Sequence, residues 1–196
     1  IKKLIAKGAD LYTLTNKNKT ILIVIIESIE LIDESPDNTK YNEAATIRNS
    51  AKKQLAIDLI KSIDPNHPTV DGVYFLNQQD TGYITEHSKP VPKMTALMYA
   101  SQYGYNDIVD TLINHGANIN ILSGKNNYSA LTYALEGRKE YIVNILVGST
   151  TYVSNITKPI NDVDYPSDIR MAIKNDRQDV AKILIDKDAD ITLLDR

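Results

Sequence analysis

At 196 residues, with 42% hydrophobic and 24% charged side chains, the chain sits near globular averages of about 45–50% and about 25%, which excludes a disordered or fibrous protein. The 22 Lys plus Arg against 25 Asp plus Glu leave a net charge of −3, too weak and of the wrong sign to gather a phosphate backbone, so nucleic acid is not an expected ligand. A cysteine count of 0 removes disulfides, thiolate metal sites and cysteine nucleophiles.

The chain opens at Ile1 in what reads as the middle of a helix, closed by Gly8-Ala9-Asp10, so residues 1–15 are taken as the end of a preceding unit and the whole as an excerpt of a longer protein. A soluble, cytoplasmic chain is the default, with the compartment left open because a signal would lie upstream. Thr20-Ile21-Leu22-Ile23-Val24-Ile25 then reads as a capped helix start. Ile21 to Ile26, the longest apolar run, is far short of the roughly 20 residues that cross a bilayer, so no membrane insertion is expected. Polar Asp33 to Asn42 predicts a long link. Glu43 to Ile63 predicts an extended helix with apolar positions at 47, 51, 55, 59 and 63, and residues 16–64 form one expanded unit.

Between Asp64 and Lys93, the prolines at 65, 68, 90 and 92 forbid continuous helix. Val73-Tyr74-Phe75-Leu76 and Tyr83-Ile84-Thr85 flank Asp80-Thr81-Gly82, which predicts a β-hairpin finger inserted over 65–92 and held down by Tyr74, Phe75 and Tyr83.

Downstream the chain repeats itself. Thr95-Ala96-Leu97-Met98-Tyr99-Ala100 is echoed 34 residues later by Ser129-Ala130-Leu131-Thr132-Tyr133-Ala134, and 38 residues after that by Ser167-Asp168-Ile169-Arg170-Met171-Ala172. Each start is followed at one distance by an apolar pair: Ile108 and Leu112, Ile142 and Leu146, Val180 and Leu184. Gly116-Ala117-Asn118 and Asp188-Ala189-Asp190 match Gly8-Ala9-Asp10 as loop landmarks. The pattern describes helix, turn, helix and loop in units 93–122, 123–160 and 161–196. Gly104 supplies a left-handed turn between helices and Gly116 a left-handed cap. One such helix pair cannot bury its apolar face alone, so the units must stack.

These landmarks resemble the ankyrin-repeat family, whose unit of about 33 residues opens with Thr-Pro-Leu-His-x-Ala and closes with Gly-Ala-Asp or Gly-Ala-Asn. The likeness is strongest from Lys93 to Asn120. The family's Pro is replaced by Ala96, Ala130 and Asp168, and its His by Met98, Thr132 and Arg170, so the Thr-His hydrogen-bond ladder should be missing. Arg138 and Asp176 stand where the inter-helix Gly belongs. The resemblance implies a mainly α, helix-turn-helix solenoid carrying the finger insertion, all of 1–196 forming one domain.

No catalytic constellation assembles. Asp80-Thr81-Gly82 looks like the aspartic-protease triplet but lacks a second such carboxylate, and reads as a turn. His67, His87 and His115 lack zinc-site spacing, so no metal or cofactor is expected; His67 and His87 bracket the finger, and His115 suits the end of a helix. Ser50-Ala51-Lys52-Lys53 has the Ser-x-x-Lys pattern without its companion motifs.

The resemblance implies instead a protein partner, bound on the concave face. Its positions fall on Met94, Gln102 and Tyr103, then Asn126, Tyr128 and Glu136, then Asp164, Lys174 and Asn175; the expanded unit adds Lys19, Glu27 and Ser28. Tyr103 and Tyr128 are the preferred contacts, because Tyr joins a large rigid ring to a hydrogen-bonding tip. A non-enzymatic scaffold, more monomeric than oligomeric, is the leading expectation. The alternatives are a targeting segment of a larger enzyme or effector, and an array that stacks on itself.

Overall fold

The computed structural model describes residues 10–29, 39–64, 67, 74–81, 93–124, 127–151 and 168–187, together with 3 and 7. Among them the helices are α1 (Ile21–Glu27), α2 (Thr39–Ser62), α3 (Ala96–Tyr103), α4 (Asn106–Asn114), α5 (Ala130–Glu136), α6 (Glu140–Gly148), α7 (Asp168–Lys174) and α8 (Gln178–Asp186). They pair in sequence, α1 with α2 through α7 with α8. The first members stack as one layer in the order α1, α3, α5, α7, and the second members as another, α2, α4, α6, α8. This is a solenoid of helix pairs.

The caps follow from residue chemistry. Thr20, Thr95 and Ser129 have extended backbones, and their hydroxyls accept the N–H groups of Ile23, Met98 and Thr132. The turn within each of the last three helix pairs is closed the same way: the N–H of Tyr105, Lys139 and Arg177 donates to the carbonyl of Ala100, Ala134 and Ala172. Each of those alanines is fully buried, and a larger side chain there would push the layers apart. Gly104 takes the left-handed turn at φ 81°, Arg138 takes it at 52° and Asp176 at 58°, at the positions where the family has glycine.

All six residues of the expected apolar pairs, Ile108 through Leu184, lie in one continuous core with Leu22, Leu97, Leu131 and Ile169. Burial of a leucine or isoleucine stabilises by about 1.5–3 kcal/mol, so this seam dominates the fold.

Three expectations are corrected. First, α2 starts four residues before Glu43, at Thr39, and its buried face is Ala45, Asn49, Ala56, Leu59 and Ile60, leading to Ile63. Ile47, expected in the stripe, is 72% exposed, and Ala51 and Leu55 are exposed too. Steps of four residues overshoot a 3.6-residue turn by about 40°, so sixteen residues carry Ile47 about 160° away from Ile63. Residues 45 and 63 instead lie about five whole turns apart. At 24 residues α2 spans about 36 Å, against about 14 Å for each nine-residue partner such as α4, and Ala45 in its first half is still fully buried.

Second, the described residues contain no β-strand. Phe75–Asn77 is a single 3-10 turn that drops Phe75 and Leu76 into the core and leaves Tyr74 exposed. Two adjacent side chains sharing one face is a helical habit that a pleated strand cannot provide. Val73, Tyr83, Ile84 and Thr85 lie outside the described residues, as do the link before α2 and the closing Asp188-Ala189-Asp190.

Third, Asp80 is not at the tip of a turn. It is 2% exposed and belongs to the base of the finger.

Candidate binding face

Each of the first three units brings a loop, or finger, back to the start of its first helix through one construction. The N–H of Thr15, Asp80 and Ser123 donates to the carbonyl of the residue before the helix cap: Lys19, Met94 and Tyr128. The side-chain oxygen of the same three residues accepts the N–H of that partner in return, at 3.1, 2.9 and 3.1 Å. Asn18 and Asn127 supply the left-handed residue before the partner, a conformation Asn tolerates. Successive fingers are pinned together by Thr81 N–H to Lys17 C=O and Gly124 N–H to Lys93 C=O.

The inner helices, the first members of the four pairs, end in four successive rungs: Glu27 and Ser28, Gln102 and Tyr103, Glu136 and Gly137, Lys174 and Asn175. On the first rung Lys19 Nζ lies 2.5 Å from Glu27 Oε1, 3.9 Å from Asp80 Oδ2 and 5.7 Å from the centre of the Tyr99 ring. Tyr99 OH donates to Asp80 Oδ2 at 2.7 Å. Burial, reinforced by that bond and by the Asp80 and Glu27 charges, pushes the Tyr99 phenol far up.

Tyr103 stacks on Tyr99 at 6.3 Å and leans on Tyr105 at 5.6 Å, and burial with the Glu27 charge raises its phenol. On the third rung Tyr128 and Tyr133 meet at 5.3 Å, and Tyr133 OH donates to Ser123 Oγ at 3.2 Å. Burial raises Tyr133 to about 12, and raises Tyr128 with help from Glu136.

The family model for ankyrin repeats, in three copies, matches residues 51–158, more than half of the chain. The chain belongs to the ankyrin-repeat family. Comparison with curated proteins finds no match. Helix α1 and the first half of α2 lie before the matched span and the pair α7–α8 after it, and both join the same stacked layers. Ankyrin repeats are in general protein–protein interaction modules and typically lack catalysis. No helix among the described residues is long and apolar enough to cross a membrane.

Set against the ankyrin face, the expected residues divide. Gln102, Glu136 and Lys174 are exposed, as is Ser28, while Tyr103, Tyr128, Asn175, Lys19 and Glu27 are half-buried. Met94 departs from the expectation: it is 4% exposed, because the Asp80 carboxylate and backbone clamp its peptide and turn the side chain into the core. Asn126 and Asp164 lie outside the described residues. Asn175 borders a cleft of about 300 Å³ lined by Arg138, Glu140, Asp176 and Arg177, in which Arg177 is held by Glu140 and Asp179.

The structure adds residues that sequence reasoning missed. The missing Thr-His ladder is replaced between the last two repeats by Asp168, whose Oδ1 accepts from Ser129 Oγ at 2.6 Å and from Thr132 Oγ1 at 2.5 Å. Asp168 occupies the family's Pro position and is buried. The signal was present as an acidic residue in an apolar repeat position, but its partners lie 36 and 39 residues away. Asp80 was visible only as a turn residue. His115 Nδ1 is 2.8 Å from Thr111 O in the last turn of α4, a structural contact, while His67 packs edge-on against Tyr12 and His87 lies outside the described residues.

Proposed function

We propose that this chain is a non-enzymatic scaffold that binds a protein partner across the face formed by the finger bases and the inner-helix ends, the concave side of an ankyrin array. The observation that carries the reading is the row of exposed Gln102, Glu136 and Lys174 flanked by half-buried Tyr103 and Tyr128, all fixed on rigid helices and pinned fingers. Such a row offers hydrogen bonds, both charges and aromatic surface at low ordering cost. Asn175 extends the face at the last rung, and Lys19, Glu27 and Ser28 at the first.

Exposed residues test this best, because Tyr103 also packs on Tyr99 and Tyr105. The triple variant Gln102→Ala, Glu136→Ala, Lys174→Ala should keep the circular-dichroism melt and lose at least fivefold in proteins captured from a lysate of the source cells. Undiminished capture would move the site off this face.

Self-stacking is a second reading, favoured by one comparison. Val24 in α1 is 41% exposed, whereas Tyr99 and Tyr133 at the same repeat position are 7% and 3% exposed beneath the preceding repeat. Sedimentation velocity across a hundredfold concentration range distinguishes the two readings, since stacking makes the sedimentation coefficient rise with concentration.

A further inference from the structure

The outward face of α2 is a surface the fold leaves unused. Ile47, Ala51 and Leu55 follow one another at four-residue steps, so each lies about 40° round the helix from the next and the three make one stripe. Ile47 is 72% exposed and Leu55 39%, and Ala51 between them is exposed. Lys52 and Lys53 stay out of the stripe, the first donating to Ser28 O and the second lying 5.0 Å from the centre of the Tyr105 ring. Exposed apolar residues scattered singly need no explanation, but these are in register.

Charge gives the stripe a direction. Glu43 and Lys61 are 18 residues apart, which is five whole turns or about 27 Å, so both stand on the same edge of the stripe with the acid at one end and the base at the other. Both are exposed, and neither has an ion-pair partner among the described residues.

A second α2 running the opposite way matches this layout. Turned about Ala51, it sets Ile47 beside the second copy's Leu55, Ala51 against Ala51, and Glu43 against the second copy's Lys61, with each unlike contact made twice. The apolar pair centres on residue 51 and the charged pair on residue 52, a mismatch of about 1.5 Å. Exposed Arg48 and Asp58 join these ends, so each end gathers two charges of either sign. A parallel copy would instead set Glu43 on Glu43 and Lys61 on Lys61, and like charges repel.

We propose that two copies of the chain pair through α2, antiparallel, with the two-fold axis at Ala51. The occupant is a second copy because only the same helix, reversed, brings both the apolar stripe and the opposite charge to each end. The contact is a single pair of helices, short of the roughly 1,200–2,000 Å² of a stable interface, so the dimer is weak and reversible. Being isologous, it closes at two. It leaves Gln102, Glu136 and Lys174 outside the contact, because they lie on other helices.

Sedimentation equilibrium up to millimolar concentration should show the mass rising from 21.9 kDa to a plateau at twice that value. Glu43→Lys and Lys61→Glu each oppose like charges in the pair, and each should weaken association at least fivefold with the melt unchanged. Mixing the two variants, or combining both changes in one chain, restores opposite charges and should restore association. The chain has no cysteine, so Ala51→Cys gives a second readout: mild oxidation should cross-link it into a dimer, whereas Asn114→Cys, exposed on α4, should stay monomeric. A mass that stays at one copy, or single variants that associate like the wild type, overturns the proposal. A combined variant as weak as the single ones overturns the antiparallel pairing. Growth past two copies that both single variants retain is stacking at the ends of the array, and it overturns this pairing while supporting that reading.

Discussion

Among the described residues four that are not glycine carry positive φ: Asn18, Asn127, Arg138 and Asp176, between 49° and 58°. Asn and Asp tolerate this region through local hydrogen bonding, but Arg138 bears a steric penalty of about 1–2 kcal/mol that glycine would not. Part of the gain is returned as entropy of the unfolded chain. Arg138→Gly should therefore stabilise by about 0.5–1 kcal/mol in urea unfolding and Asp176→Gly by less, whereas Gly104→Ala, at φ 81°, should destabilise by about 1–2 kcal/mol. Buried polar groups set a second contrast. Asp168→Ala strands the Ser129 and Thr132 hydroxyls and should cost about 1–3 kcal/mol. Ser101→Ala should be neutral or stabilising, because the Ser101 hydroxyl is buried without a partner. The tyrosines add a pH limit. Burial holds Tyr105 and Tyr133 at about 12 against an ordinary 10.0, so the folded chain keeps these protons longer than the unfolded one. Their stabilising effect is complete below pH 10 and is lost as pH rises through 12. Tyrosinate absorbance near 295 nm should therefore rise in step with loss of helix in this window.

At the scale of elements, α2 carries one buried and one exposed face along its length. Its last two turns carry Leu59 and Ile60 into the core, while Ile47, Ala51 and Leu55 face outward. Leu59→Ala should destabilise by about 2–5 kcal/mol, and Ile47→Glu should change stability by less than about 0.5 kcal/mol, measured by the same urea transitions. Reversal of that order would place Ile47 in the core. The short inner helices behave differently: at seven or eight residues they are too short to persist alone, and they stand because neighbouring helices cover them, on both sides of the layer for α3 and α5. For those two, the cover leaves mainly their C-terminal ends and the finger bases for a partner.

Over the whole molecule, contacts run between adjacent helix pairs, so stability is shared along the array. Leu112, between α2 and α6, has neighbours on both sides in its layer, whereas Leu184 in α8 packs at the last described pair. Leu112→Ala should therefore lower amide protection across all pairs in hydrogen exchange, and Leu184→Ala chiefly in α7 and α8. Uniform loss from both variants would mean that the array unfolds only as one unit.

The sequence by itself determined the repeat, its helix pairs, the capping threonine and serine, the buried pairs from Ile108 to Leu184, and the left-handed turn at Gly104. Those features recur at a fixed local spacing, and local spacing is what backbone periodicity and capping chemistry obey. Only the tertiary structure decided that Phe75 lies in the core and Tyr74 in solvent, that Met94 is withdrawn from the face, that Asp80 clamps a finger, and that Asp168 bridges two repeats. Each of these depends on which distant atoms a side chain meets once the repeats have stacked. The same holds for the contrast between Glu27, paired with Lys19, and Glu136, for which the described residues offer no ion-pair partner: the two positions correspond in the repeat, but the difference in charge satisfaction exists only after the fingers and inner helices have come together.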